Sequence, residues 1–335
     1  MISINVTPND ILQMRFAFSP LLEACTSFHM LRKGNPYPSQ YLQWIDEALR
    51  ALHDVGLPYM EALLGGNSYV PDFLTPTPTA PGVDFEEDLK RLCATPTSII
   101  EDNLQLLIAI AGESDIRKDA LAHPREMICA LVEELRTYWD YTLAHHWSRM
   151  IAILENDILY RAREQALYGA SDMLNGLHPK FGYKDGNLFI DKEWKWKFPP
   201  PCVAPDFHYD IAGQGIQIVP TIFSFPKLYW QISDDYQPMF IYGARGTGLW
   251  HYAEPDDPEE ALQITMGVGR SRVLYALMTP RSTTELAYML DITSGAVSQH
   301  LSKLNQAGLV ESSRSGKRVF YRLSQRGQKL IDVFN

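Results

Sequence analysis

The chain has 335 residues, of which 46% are hydrophobic and 21% charged, and it carries a net charge of −10. Those proportions are ordinary for a soluble globular protein and allow two or three domains with sizeable cores. No apolar run approaches the roughly 18 residues that would span a bilayer, so no membrane-spanning helix is expected.

From Asn9 to about Gly176 the pattern is mainly helical. In Tyr41–Leu52 the residues Leu42, Ile45, Leu49 and Leu52 recur at three and four, which predicts one apolar helix face, and Gly56 and Pro58 stop the helix. Four prolines between Pro71 and Pro81 predict a stiff extended connector, after which Asp84–Cys93 and Thr97–Ala111 return to helical character. Arg125–Tyr168 has no breaker over more than forty residues and reads either as one spine helix or as two with a bend near His145-His146.

After Gly176 the period changes. Lys184-Asp185-Gly186-Asn187 is a turn signature, and 187–191, 215–219 and 239–242 read as short strands, with Pro199-Pro200-Pro201 separating the first from the others. Glu254–Pro258 is an acidic linker in which Asp257, Pro258 and Glu260 form a capping-box pattern. The predicted fold is mainly α with α+β parts: a helical domain at 1–180, a small β-rich subdomain at 181–254 and a module at 258–335.

The last module is the most informative. Its predicted order is helix 258–266, helix 271–278, helix 283–290, helix 294–307, hairpin 309–323 and helix 325–334, and the third and fourth helices with their tight turn form a helix-turn-helix. Val297, Leu301 and Leu304 share one face of the fourth helix, while Ser294, Gly295, Ser298, Gln299 and Ser302 share the opposite one. Small side chains there permit close approach to a groove, Gln299 has the amide that pairs with adenine, and the helix N-terminus directs free N–H groups at phosphate. Thr283, Thr293, His300 and Lys303 flank that face, and Arg314, Lys317 and Arg318 stand at the tip of a hairpin reversed by Ser315-Gly316. From Glu259 to Asn335 ten basic residues face six acidic ones, a net of +4 that leaves −14 on the rest, the pattern of a chain in which one part alone meets phosphate.

Residues 261–330 resemble the ArsR family of winged helix-turn-helix regulators, through Arg270-Ser271-Arg272-Val273-Leu274-Tyr275-Ala276-Leu277 and Ala296-Val297-Ser298-Gln299-His300-Leu301. Arg15-Phe16-Ala17-Phe18-Ser19-Pro20-Leu21 is similar to a segment of a longer subset of that family. The resemblance implies a homodimer on an inverted-repeat operator in double-stranded DNA, most often a repressor released by an effector. It also implies dimer packing by the module's first and last helices, the last carrying Leu330, Ile331 and Phe334. Metal-sensing members place cysteines in the first helix of the helix-turn-helix. Here that stretch is Glu285–Asp291 without a thiol, and the last helix lacks paired His and carboxylate ligands, so a non-metal signal is expected.

Elsewhere little demands chemistry. Cys25, Cys93, Cys129 and Cys202 lie far apart without a C-x-x-C pair, against a disulfide framework or structural zinc and consistent with the cytoplasm. The beginning of the chain carries no secretory leader pattern. All seven tryptophans (Trp44, Trp139, Trp147, Trp194, Trp196, Trp230, Trp250) precede the linker and fit either a small-molecule effector pocket or, more commonly, a core. His145-His146 has Asp140 and Glu155 along its helix at spacings that do not place ligands side by side, and Gly243–Gly248 does not open a convincing helix after a buried strand. No catalytic motif, cofactor or metal site is predicted. An enzyme or interaction scaffold carrying the winged helix as an appendage is the alternative reading.

Overall fold

The apolar periodicity of the first 176 residues forms helices in the computed structural model, which describes residues 1–34, 37, 39–66, 69–80, 82, 84–191, 208–211, 213–247, 258–315 and 318–334. The chain divides into two units, Met1–His251 and Tyr252–Asn335. The predicted separator Pro199–Pro201, the acidic linker with Asp257, and Cys202, Trp194, Trp196 and Trp250 lie outside the described residues.

In the first unit the elements are β1 (Ile2–Asn5), α1 (Pro8–Leu12), β2 (Arg15–Phe16), α2 (Pro20–Lys33), α3 (Leu42–Ala51), α4 (Pro58–Leu64), α5 (Phe85–Cys93), α6 (Thr97–Ala111), α7 (Asp115–Ala122), α8 (Pro124–Thr142), α9 (Trp147–Tyr168), α10 (Ala170–Asn175), β3 (Phe181–Lys184), β4 (Asn187–Ile190), β5 (His208–Asp210), β6 (Gln217–Thr221), β7 (Tyr229–Ser233) and β8 (Tyr236–Gly243). The central helix α8 buries Leu131, Leu135 and Tyr138 among α2–α7, and the Tyr138 hydroxyl lies 2.8 Å from that of Ser27 on α2. Of the two readings of Arg125–Tyr168, two helices is the observed one. Leu143 leaves the helical region at φ −124°, and a short 3-10 turn, Ala144–His146, joins α8 to α9.

Helix α3 buries a face rotated from the predicted one. Ile45 and Leu52 are inside, but so are Trp44 and Ala48, while Leu42 and Leu49 are about half exposed. The cause is the indole: fully buried, Trp44 donates from Nε1 to the Thr142 carbonyl at 3.0 Å, and burying so large a ring with its N–H satisfied outweighs two leucines. Trp44, Trp139 and Trp147 belong to or pack against the helical core.

The sheets of this unit join residues from both ends of it. One has the order β3-β4-β1-β5, with β1 antiparallel to β4 and parallel to β5; the other has the order β2-β6-β8-β7, with β2, β6 and β8 parallel. The segment 181–243 therefore does not close its sheets alone: Ile2 pairs with Ile190 and Arg15 with Gln217. The predicted turn 184–187 is the β3–β4 hairpin, with Asp185 and Gly186 at φ 51° and 78°, as a two-residue turn of this hand requires. Arg15–Leu21 supplies β2 and then the start of α2, where the Ser19 hydroxyl accepts from Leu22 N at 3.1 Å and donates to Asp88 at 2.6 Å.

The second unit comprises α11 (Pro258–Met266), α12 (Val268–Ala276), β9 (Arg281–Ser282), α13 (Thr283–Leu290), α14 (Ser294–Gln306), β10 (Val310–Ser315), β11 (Arg318–Leu323) and α15 (Gln325–Phe334). Its core holds Leu262, Val273, Leu274, Leu286, Val297, Leu301, Leu304 and Ile331. Ile331, expected at a dimer surface, is fully buried within this core; among the described side chains of α15 the exposed apolar one is Val333, at 78%, and the side chain of Phe334 lies outside the described residues. Strand β9, too short to show alternation, adds a third strand to the hairpin in the order β10-β11-β9.

Candidate nucleic-acid interface

Local signals fix the helix-turn-helix. Ser282 caps α13 in a reciprocal box, its hydroxyl accepting from Glu285 N at 3.4 Å while the Glu285 carboxylate accepts from Ser282 N at 2.7 Å. Asp291 then takes a left-handed conformation at φ 52°, ψ 47°, which lets Ile292 N reach the Ala287 carbonyl at 3.2 Å. Thr293 starts α14 with its hydroxyl accepting from Ala296 N at 3.2 Å. At the far end Gly308, at φ 72°, closes the helix: Gly308 N donates to Asn305 O at 2.8 Å and Leu309 N to Leu304 O at 2.9 Å. Both ends of α14 are thereby held at defined positions relative to α13 and the wing.

On this frame Val297, Leu301 and Leu304 are at most 2% exposed, and Thr293, Ser294, Gly295, Ser298, Gln299, Ser302 and Lys303 are all exposed. The Ser298 hydroxyl donates to the Ser294 carbonyl at 2.8 Å, which leaves its oxygen free to accept. Thr283, the first residue of α13, is half-buried.

His300 departs from its expected place on the flank of that face. It is half-buried, and its ring lies against Gly269 of α12, where an added Cβ would fall 2.6 Å from Nε2. The imidazole is thus spent on packing between α12 and α14. The sequence signal for this is a glycine inside a helix, which marks close approach but not which residue approaches.

The wing pairs Val310 with Leu323 through to Ser315 with Arg318. Arg314 is exposed on β10; Arg318 begins β11; Lys317 and Gly316 lie outside the described residues, as does the side chain of Arg318. Arg322 is tied to Glu311 across the strands at 3.0 Å, a neutral pair that adds no charge to the tip.

A capped helix, a three-residue turn, a second helix with a small-residue outer face and a stranded wing together define a winged helix-turn-helix, a DNA-binding class of module. Residues 267–312 match the model for bacterial regulatory proteins of the arsR family. The chain is also similar to the HTH-type transcriptional regulator KmtR of Mycobacterium tuberculosis, at 38% identity over 89 residues, which is 24% of this chain and 68% of that protein. No solved structure matches it. The chain belongs to the ArsR family and is a transcriptional regulator. Among the described residues no helix is long and apolar enough to cross a membrane.

Proposed function

We propose that the protein binds an operator in double-stranded DNA as a homodimer and represses transcription, with Met1–His251 receiving the signal that releases it. The observation that carries this reading is the outer face of α14, where small residues and one amide stand exposed above three buried aliphatic ones. A solvated helix face ordinarily carries Lys and Glu; this one suits insertion in a major groove, with Ser294, Gly295, Ser298, Gln299 and Ser302 nearest the bases. Thr283, Thr293, Lys303, Arg314, Lys317 and Arg318 are assigned to the phosphate backbone. Dimerisation is supported by Ile264 on α11 and Val333 on α15, which are 72% and 78% exposed. The absence of thiols from Glu285–Asp291 argues against thiolate sensing beside the DNA. A small-molecule effector is supported by a cavity of about 380 Å³ in the first unit, lined in part by Arg161, His178, Phe225, Lys227 and Arg245, a size that fits such ligands.

Gel shift on the DNA upstream of the gene, across a salt series, tests the reading. Several phosphate contacts predict a steep linear fall of log affinity with log salt. Gln299→Ala is expected to cost about 1–3 kcal/mol and to relax preference at one base position. Binding that ignores sequence and is unchanged by this substitution would overturn the assignment of α14.

A further inference from the structure

The first unit brings together three ligand-bearing side chains that lie far apart in sequence. Glu47 sits on α3, and His145 and His146 end the 3-10 turn, Ala144–His146, between α8 and α9. His145 Nε2 lies 3.0 Å from Glu47 Oε1 and His146 Nε2 lies 3.5 Å from the same oxygen, although 98 residues separate Glu47 from His145. One ligand atom from each residue falls within 4.8 Å of the other two.

The fold imposes this meeting. Trp44, fully buried, donates to the last carbonyl of α8, that of Thr142, at 3.0 Å. Glu47 stands one turn further along α3, and the two histidines follow Thr142 by three and four residues. The contact that docks α3 against the end of α8 thus places the carboxylate beside the Nε2 atoms of both rings, whose centroids are 3.9 Å apart. Asp140 and Glu155, the carboxylates nearest in sequence, are not part of the cluster.

We propose that Glu47, His145 and His146 form a binding site for a divalent transition ion of zinc or cobalt type, with two imidazoles and one carboxylate as ligands and the remaining position open to water. Ligand bonds of about 2.0–2.1 Å in a tetrahedral site set ligand atoms about 3.4 Å apart, within a few tenths of an ångström of both measured separations. Imidazole and carboxylate together suit borderline ions rather than the hard, oxygen-seeking calcium or magnesium. The site lies outside residues 267–312, the part matched to the family, and its occupancy does not depend on the DNA-binding reading.

The test is a Co²⁺ titration of the untagged full chain, followed by its visible spectrum and by metal analysis after dialysis. One ion per chain is expected, with the absorption of a low-coordinate site and no thiolate charge-transfer band. Glu47→Gln and His145→Ala, both at side chains more than 40% exposed, should leave the circular dichroism and melting unchanged. Each should weaken binding by more than the roughly tenfold that loss of an outer hydrogen bond costs. Cys93→Ser and Cys129→Ser, at the exposed thiols, should change nothing. No saturable Co²⁺ binding, binding that survives the first two substitutions, or binding that is lost with the cysteines would each overturn the proposal.

Discussion

Raising the pH from 6.5 to 8 is expected to destabilise the first unit by about 2 kcal/mol, and Glu23→Gln to abolish most of that slope. Glu23 on α2 is fully buried; burial pushes its carboxyl up to about 8, offset only in part by the backbone N–H groups of Ile222 and Phe223, the former 2.8 Å from Oε1. The folded chain holds this proton where the unfolded chain, with its ordinary value of 4.5, has released it. Such a raised group contributes stability that is fully present below 4.5 and is lost as pH rises through about 8, at up to about 1.4 kcal/mol per pH unit.

Two other groups set the useful window. Asp72, pushed up to about 6 by burial and then Asp235, acts in the same direction but at lower pH. His146, pushed down to about 4 from 6.5, acts oppositely, removing stability as pH falls below 6.5. Between 6.5 and 8 Glu23 dominates among these three. Urea titrations read by tryptophan emission isolate the effect, because every tryptophan lies at or before Trp250 and so within the first unit. A Glu23→Gln protein whose midpoint still falls with pH as the parent's does would show that the proton resides elsewhere.

How far the fold was legible depended on how local its causes are. In the second unit the punctuation is written within four residues of each boundary: Ser282 with Glu285, Thr293 with Ala296, Gly308 after Ala307. Periodicity then assigns Val297, Leu301 and Leu304 to the core and leaves the small-residue face outside, so that face could be read directly. The first unit obeys distant causes. Strand β2 is two residues long, too short for alternation, and exists because Arg15 and Phe16 find Gln217 and Ile218 some two hundred residues later. The same holds for β1 and its partner β4, which is why a helical 1–180 and a separate β-rich 181–254 could not be corrected from sequence alone. At the sites, His300 against Gly269 and Glu47 against His145 are likewise products of packing between helices: the first leaves only a helical glycine that does not name its neighbour, and the second leaves no local trace.

Gly327→Ala should cost the second unit several kcal/mol and abolish DNA binding by unfolding it. A Cβ at Gly327 would fall 2.1 Å from the Leu309 carbonyl oxygen and 3.0 Å from its carbon, and backbone atoms cannot turn aside as a side chain can. The start of α15 is fastened to the turn that ends α14. Ser324 N donates to Leu309 O at 3.0 Å, the Ser324 hydroxyl donates to Gly308 O at 2.6 Å, and Gly327 N donates back to that hydroxyl at 3.0 Å. Relieving the clash means lifting α15 off this turn, which breaks these bonds at about 1 kcal/mol each and draws Ile331 from the core. Hydrogen exchange should then show lost protection across 294–310 with unchanged tryptophan emission from the first unit. Gly295→Ala is the contrasting experiment: its added Cβ meets only Thr293 Oγ1 at 3.9 Å, and alanine favours a helix by up to about 1 kcal/mol. That variant should keep or raise stability yet bind DNA more weakly, because the methyl group stands on the proposed groove-facing surface. Weakened binding in both variants, with unfolding in the first alone, separates the scaffold of the recognition helix from its reading face. A Gly327→Ala protein as protected as the parent would refute the packing of α15 on Leu309.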